Sequence, residues 1–285
     1  MKQQNVNPNV VTYNSLMDGY CLQGRMDEAR SVFDSSMASM NIAPDVMSYN
    51  ILINGYCKKK KIDEAMHMFR EMPRRGLQPN IVTYNTVLQG LFRGGRCSEA
   101  LEIFDELQAV GLKPDFYTYC NMLDGLCRND RVERALLLLD EIENKGGEHH
   151  LHISYYNIVM DGLCEAKNLD QARIIFSDLA SKGLEPNVVT YTIMIKGCCQ
   201  NGLLYEAQDL FQRMKEASLA PDDLTYNVIV RGNLKGGKYE VASMFLEEMD
   251  AKGFSPDSFT LELLLDSEHN STVFKMFQKW APSTL

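Results

Sequence analysis

The stretch VVTYNSLMDGYC at residues 10–21, followed by GRMDEA at residues 24–29, returns in altered form along the whole chain. Its tyrosine recurs as Tyr13, Tyr49, Tyr84, Tyr119, Tyr156, Tyr191 and Tyr226, at intervals of 36, 35, 35, 37, 35 and 35 residues. A period near 35 marks a solenoid, because a unit of that size cannot bury its apolar face alone and must stack on its neighbours. Within the first unit, Tyr13, Leu16, Met17 and Tyr20 fall at i, i+3, i+4 and i+7, and after Gly24 a second stripe runs through Met26, Ala29, Val32 and Phe33. That spacing describes one helix face, a turn, and a second helix face. The expected fold is all-α, a right-handed superhelical solenoid of stacked helix–turn–helix repeats.

Aligning on the tyrosine divides the chain into units 10–45, 46–80, 81–115, 116–152, 153–187, 188–222 and 223–257. Residues 1–9 read as the tail of a preceding repeat. Residues 258–285 read as a partial repeat with an amphipathic capping helix near 273–280. Slot ten of every unit is glycine and slot twenty is alanine, from Gly19 and Ala29 to Gly232 and Ala242. An interior glycine costs a helix about 1 kcal/mol, so its recurrence points to close approach of helices. Acidic residues near the start of the second helix, such as Asp27-Glu28 and Asp63-Glu64, are placed to cap free amides and suit the positive dipole end. Gly-x-x-Pro stretches, as at 76–79, end the hairpins.

The 285 residues are 45% hydrophobic, enough for a continuous core, and no run of eighteen apolar residues suggests a membrane span. Eight cysteines are present, but Cys21, Cys57, Cys127, Cys164 and Cys199 all occupy slot twelve, which marks them as small packing residues and not a disulfide framework. The net charge of −9 opposes nucleic-acid binding unless the acids lie away from the binding face. No signal or Arg-rich transit peptide is evident in the sequence.

Residues 10–21 and 24–29, together with IVTYNTVLQGL from Ile81 and VVTYTIMIKGCC from Val188, resemble the pentatricopeptide repeat, over residues 10–257. The wording of the units is most similar to the plant restorer-of-fertility group. The resemblance implies an organellar, usually mitochondrial, protein that binds single-stranded RNA without cofactor or metal and acts in transcript processing, stability or translation. It further implies that each repeat reads one base through its fifth and last residues, a mode known for helical repeats. The fifth slots hold Asn14, Asn50, Asn85, Cys120, Asn157, Thr192 and Asn227, and the last slots hold Asp45, Asn80, Asp115, His152, Asn187, Asp222 and Asp257. The helical step from the core tyrosine directs the fifth slot towards the groove.

An asparagine amide carries both donor and acceptor, so it can meet N3–H and O4 of uracil, or N3 and N4–H₂ of cytosine when turned over. By resemblance, Asn with Asp favours uracil, Asn with Asn favours cytosine or uracil, and Thr with Asp favours guanine. The implied target is 5′-U-C/U-U-N-C/U-G-U-3′. Second-slot residues Val11, Met47, Val82, Tyr117, Ser154, Val189 and Leu224 would press on base faces, and slot-thirteen Lys58, Arg93, Arg128 and Lys235 would face phosphates. Leu22, Glu165 and Gln200 break that last pattern. The last-slot residues are also good N-caps for the next hairpin, a role that can coexist with base reading.

Two units depart from the period. The fourth has two extra residues around 146–150 and a poor reader in Cys120. The first has one extra residue near Ser35-Ser36, which threatens to displace Asp45. His149, His150 and His152 lack partners at metal-ligand spacing, and lysines 58–61 suit a turn. A tetratricopeptide-like scaffold that binds protein is the alternative, though its 34-residue period and Trp-Leu-Gly-Tyr signature are missing. With no His-x-Glu and Cys-x-x-Cys set, no enzymatic activity is expected, nor is a membrane or small-molecule partner. Protein partners for RNA processing would supply any chemistry.

Overall fold

The computed structural model describes residues 8–144 and 151–266, and among them every element is helical. The repeat slots map onto it directly: first helices begin at the first slot, as α1 (Val10–Leu22), and second helices follow a short turn. In the first hairpin the second helix is α2 (Met26–Ser31), a π-helical turn (Val32–Ser36) and α3 (Met37–Ser39). Then come α4 (Val46–Lys58) with α5 (Ile62–Arg74), α6 (Ile81–Arg93) with α7 (Cys97–Ala109), and α8 (Phe116–Arg128) with α9 (Val132–Asn144). The later pairs are α10 (Ile153–Glu165) with α11 (Leu169–Asp178) and a 3₁₀ turn (Ala180–Lys182), α12 (Val188–Gln200) with α13 (Leu204–Glu216), and α14 (Asp223–Lys235) with α15 (Tyr239–Ala251). Helix α16 (Ser258–Asp266) opens one more hairpin. The chain divides within α9 into two compact units, one through Leu138 and one from Leu139 onward.

First helices start where they do because their caps are strong. Asn9, Asp45, Asn80, Asp115 and Asn187 each accept the backbone N–H three residues on, while the Ser or Thr at that position bonds back to the cap's N–H. This capping box satisfies two donors that a helix start would otherwise strand, worth about 1 kcal/mol per cap. Second helices start differently. Arg25, Lys61, Arg96, Leu203 and Lys238 precede them without any side-chain cap. The acidic residues expected to cap them stand one to three places inside the first turn, where they favour the dipole and bind arginines: Glu28 with Arg25 at 2.8 Å, Asp170 with Arg173 at 2.6 Å. Asn168, which does accept from the Gln171 N–H, is an exception.

Within each unit, first helix packs on first helix: α1 on α4, α4 on α6 and α6 on α8, then α10 on α12, α12 on α14 and α14 on α16. The slot-ten glycines make this possible. A Cβ added at Gly90 would lie 2.1 Å from Cys57 Sγ, and at Gly197 or Gly232 2.4 or 2.2 Å from the sulfurs of Cys164 and Cys199. Slot twelve of one repeat thus fills the notch left by slot ten of the next. The cysteines are packing residues in fact, and burial pushes the Cys57 thiol up to about 11. The slot-twenty alanines are fully buried in every hairpin.

The recurring tyrosine is held by the preceding second helix. Phe33 meets Tyr49 edge-on at 5.0 Å between centroids, Phe69 meets Tyr84 at 5.3 Å, Phe104 meets Tyr119 at 6.3 Å, and Phe211 meets Tyr226 at 5.5 Å. Such pairs add about 0.5–1.5 kcal/mol beyond their burial. The phenol then finds a carboxylate: Tyr226 donates to Glu248 at 2.9 Å, which Lys215 also binds at 2.8 Å.

The extra residue of the first repeat is absorbed by the π-helical turn, so Asp45 is not displaced and caps α4 as its counterparts do. The residues around 146–150, with His149 and His150, and the stretch 273–280 lie outside the described residues, as do residues 1–7. No described helix is long and apolar enough to cross a membrane.

Candidate nucleic-acid interface

The second-slot side chains stand at the start of each first helix and point away from the core. Val11 is 63% exposed and Tyr117 68%, and Met47 and Val82 are also exposed, as are Val189 and Leu224 in the second unit, where Ser154 is half-buried. Six exposures at one slot, all of them apolar or aromatic, four in the first unit and two in the second, are a repeated feature and not scattered accidents. In the first unit Val11, Met47 and Val82 border an open groove of about 680 Å³ whose other walls include Asn14, Asp45 and Asn50.

The fifth-slot side chains lie at the floor of this face and are more deeply set than their sequence position alone implied. Asn14, Asn50, Asn157, Thr192 and Asn227 are buried, while Asn85 and Cys120 are half-buried. Their polar groups are bound to the next hairpin's cap. Asn14 Nδ2 donates to Asp45 Oδ1 at 3.1 Å, and Asn85 Nδ2 donates to Asp115 Oδ1 at the same distance. In these two repeats the fifth and last residues are therefore in direct contact. Burial acts to raise both carboxyls, but the amide and hydroxyl donors around them, Ser48 with Asn14 and Thr118 with Asn85, outweigh it and hold Asp45 and Asp115 below the ordinary carboxylate range.

The third slot supplies a link that the sequence analysis missed. Ser48 Oγ donates to Asn14 Oδ1 at 2.7 Å, Thr190 Oγ1 donates to Asn157 Oδ1 at 2.9 Å, and the hydroxyls of Thr192 and Thr225 are 2.8 Å apart. One hydroxyl thus closes its own helix's capping box and grips the preceding repeat. Recurrence of Ser or Thr at Thr12, Ser48, Thr83, Thr118, Thr190 and Thr225 was the available signal, broken only by Tyr155. This gives the fifth-slot asparagine a structural duty beside any reading of bases. Asn50 is looser, since it makes no hydrogen bond to Asn80 and its Oδ1 is buried without a partner. The same holds for Oδ1 of Asn85. Cys120 and His152 belong to different units; His152 caps α10 by accepting the Ser154 N–H on Nδ1 at 3.2 Å.

Slot thirteen closes each first helix. Lys58, Arg93 and Lys235 are exposed and form no ion pair among the described residues, whereas Arg128 is bound by Asp124 at 2.7 Å. Arg93 and Arg128 border a recess of about 500 Å³ in the first unit, and Lys235 borders one of about 650 Å³ in the second. The second recess also holds two slot-nine cations, Lys196 and Arg231. Sequence analysis passed over slot nine, because it carries Asp18, Asn54, Gln89, Asp124 and Asp161 in the earlier repeats. Among the described residues no group of side chains could hold a metal ion.

A family model described as PPR repeat family matches residues 8–54, 44–93, 79–128 and 152–200, and one described as PPR repeat matches residues 117–147, 189–219 and 224–254. No curated protein sequence matches the chain. Among solved structures, the chain is similar to the pentatricopeptide repeat protein PPR10 in complex with an 18-nt psaJ RNA element, with TM-score 0.60 and 24% identity over 88% of this chain and 41% of that one. PPR10 from maize gives TM-score 0.60 and 23% identity over 98% and 44% of the two chains. The nuclear protein-only RNase P 2 of Arabidopsis thaliana gives TM-score 0.51 and 13% identity over 65% and 41%. This chain spans less than half the length of each, and at such identities the likeness is one of fold.

Proposed function

The chain belongs to the pentatricopeptide repeat family, and from that premise we propose that it binds single-stranded RNA sequence-selectively, one base per repeat. The observation that carries this reading is the exposed second-slot row above a polar floor made by fifth- and last-slot residues. A base laid between successive second-slot side chains would stack without regard to identity, while its edge met the Asn–Asp floor. Asn14 and Asn85 each keep one N–H and at least one oxygen lone pair beyond their protein bonds, which is the donor and acceptor pair that a uracil edge requires. The RNA complex of PPR10, a protein of similar fold, is in keeping with this.

Phosphates would be met by Lys58, Arg93 and Lys235, a small number for a chain of net charge −9. The salt dependence should therefore be shallow, roughly −0.7 in log affinity per phosphate neutralised on a single strand. The role is passive: the chain would block, protect or deliver an organellar transcript, in the mitochondrion by its resemblance to restorer-of-fertility proteins, with no catalytic step of its own.

Gel-shift with a single-stranded oligonucleotide carrying UCUNCG at the first six positions, against a scrambled control, tests the reading. Selective binding is expected, and equal or absent binding by folded protein would sink it. Thr192→Asn should move preference at the sixth base from guanine towards uracil.

A further inference from the structure

The seventh repeat has the same Asn–Asp pair as the first and third, yet its hydrogen bonds run the other way. Asn227 is 2% exposed, and its Nδ2 donates to the Asp223 carbonyl at 2.9 Å. Its Oδ1 accepts the Asp257 N–H at 2.9 Å and lies 2.7 Å from the Thr260 hydroxyl. A backbone N–H can only donate, so the amide orientation is fixed by its partners. One lone pair of Oδ1 takes that N–H and the other faces the Thr260 hydroxyl, so this buried oxygen is turned into the next hairpin and away from N3–H of a uracil.

Asp257 is committed as well. Its Oδ1 takes the Thr260 N–H and faces the Thr260 hydroxyl, each at 2.8 Å, and its Oδ2 is held by Arg231 Nη1 at 2.9 Å. Neither Asp45 nor Asp115 has a cationic partner among the described residues. Arg231 stands one helical turn after Asn227, on the same face of α14, and borders the open recess with Val228 and Lys235. The pair with Asp257 fixes one arm of the guanidinium, and four further N–H donors remain.

We propose that Arg231, and not the Asn227 amide, sets base choice at the seventh repeat by offering its guanidinium to the O6 and N7 acceptors of a guanine. The proposal rests on the base-reading function above and changes the seventh letter from uracil to guanine. A planar fork of donors with no acceptor complements an edge bearing two acceptors side by side, which guanine has and uracil lacks. Asp257 acts as the positioning residue that holds the fork, limiting the side-chain freedom lost on binding.

Fluorescence anisotropy with oligonucleotides that differ only at the seventh base tests this, alongside a matched series varied at the first. The full chain should favour guanine over uracil at position seven, on the order of 10-fold. Arg231→Ala should abolish that preference while uracil preference at position one is retained. Arg231→Lys, which keeps the charge and loses the fork, should behave like the alanine variant at position seven, with circular dichroism confirming that both variants are folded. Uracil preference at position seven that survives Arg231→Ala would overturn the proposal and leave the general reading intact. A uniform loss of affinity for all four bases in Arg231→Ala would assign Arg231 to a phosphate and also overturn it. Absence of base preference at both positions would instead defeat the base-reading function itself.

Discussion

Gly19 in α1 and Gly125 in α8 hold the same slot of their hairpins but differ in what presses on them. A Cβ at Gly125 would lie 2.2 Å from Phe92 Cγ, whereas a Cβ at Gly19 would meet nothing within 4 Å among the described residues. The neighbouring slots agree: Leu16 is 46% exposed, while its counterparts Leu52, Val87 and Met122 are buried. Uniform sequence therefore does not mean uniform demand. The glycine is required by the slot-twelve side chain of the repeat before it, and where no such side chain sits on it, only the helix-propensity cost is left.

The largest effect expected from this contrast is on stability. Gly125→Ala should destabilise the chain by about 1–3 kcal/mol, because the ring of Phe92 is rooted too close to swing aside. Gly19→Ala should instead stabilise it, by up to about 1 kcal/mol, as a half-buried helical glycine with room for a Cβ loses its entropic penalty. Urea denaturation of the two variants checks both, and equal effects of the same sign would break the comparison.

A middle-sized effect should separate the hydroxyls at slot three. Thr190 is fully buried and serves both Asn157 and Asn187, so Thr190→Val would strand the Asn157 oxygen at a cost of about 1–3 kcal/mol. Thr12, half-buried and bound among the described residues to Asn9 alone, should cost no more than about 1 kcal/mol when replaced by valine. Thermal melts followed by circular dichroism would rank the two, and equal shifts would mean that the link between repeats adds nothing to the cap.

The smallest effect is pH dependence. Asp45 and Asp115 titrate below the ordinary carboxylate range when folded, so their contribution is complete above the unfolded value, about 3.9, and is lost as pH falls through the folded value. The neutral cap Asn9 has no such term. Stability curves between pH 3 and pH 6 should flatten slightly at the acid end in Asp45→Asn and Asp115→Asn, and curves parallel to that of the parent chain would contradict the assignment.

Much of this was legible in the sequence. The tyrosine spacing placed the first helices, because all but α10 begin at an Asp or Asn cap with a Ser or Thr visible three residues on. The second slot was singled out by the resemblance alone, although a residue two places before the core tyrosine falls on the opposite side of the helix. What could not be read was which partners the polar residues would choose. Ser48 looks like an ordinary capping-box residue, and only stacking shows that its hydroxyl also grips Asn14. The reversal at Asn227 depends on the Asp257 N–H and the Thr260 hydroxyl, which the next hairpin brings to its amide oxygen. Likewise, the Asn–Asp pairs of the first, third and seventh repeats look identical in sequence but differ in the donors and acceptors left over after folding.

The π-helical turn at Val32–Ser36 has a consequence for how such arrays change length. One added codon is taken up as a widened turn in the outer helix, and the next cap still lands on its helix start. Insertions there are silent for the groove, whose order is indexed by caps and not by counting residues. A residue is thus added to a second helix without shifting the cap that starts the next hairpin.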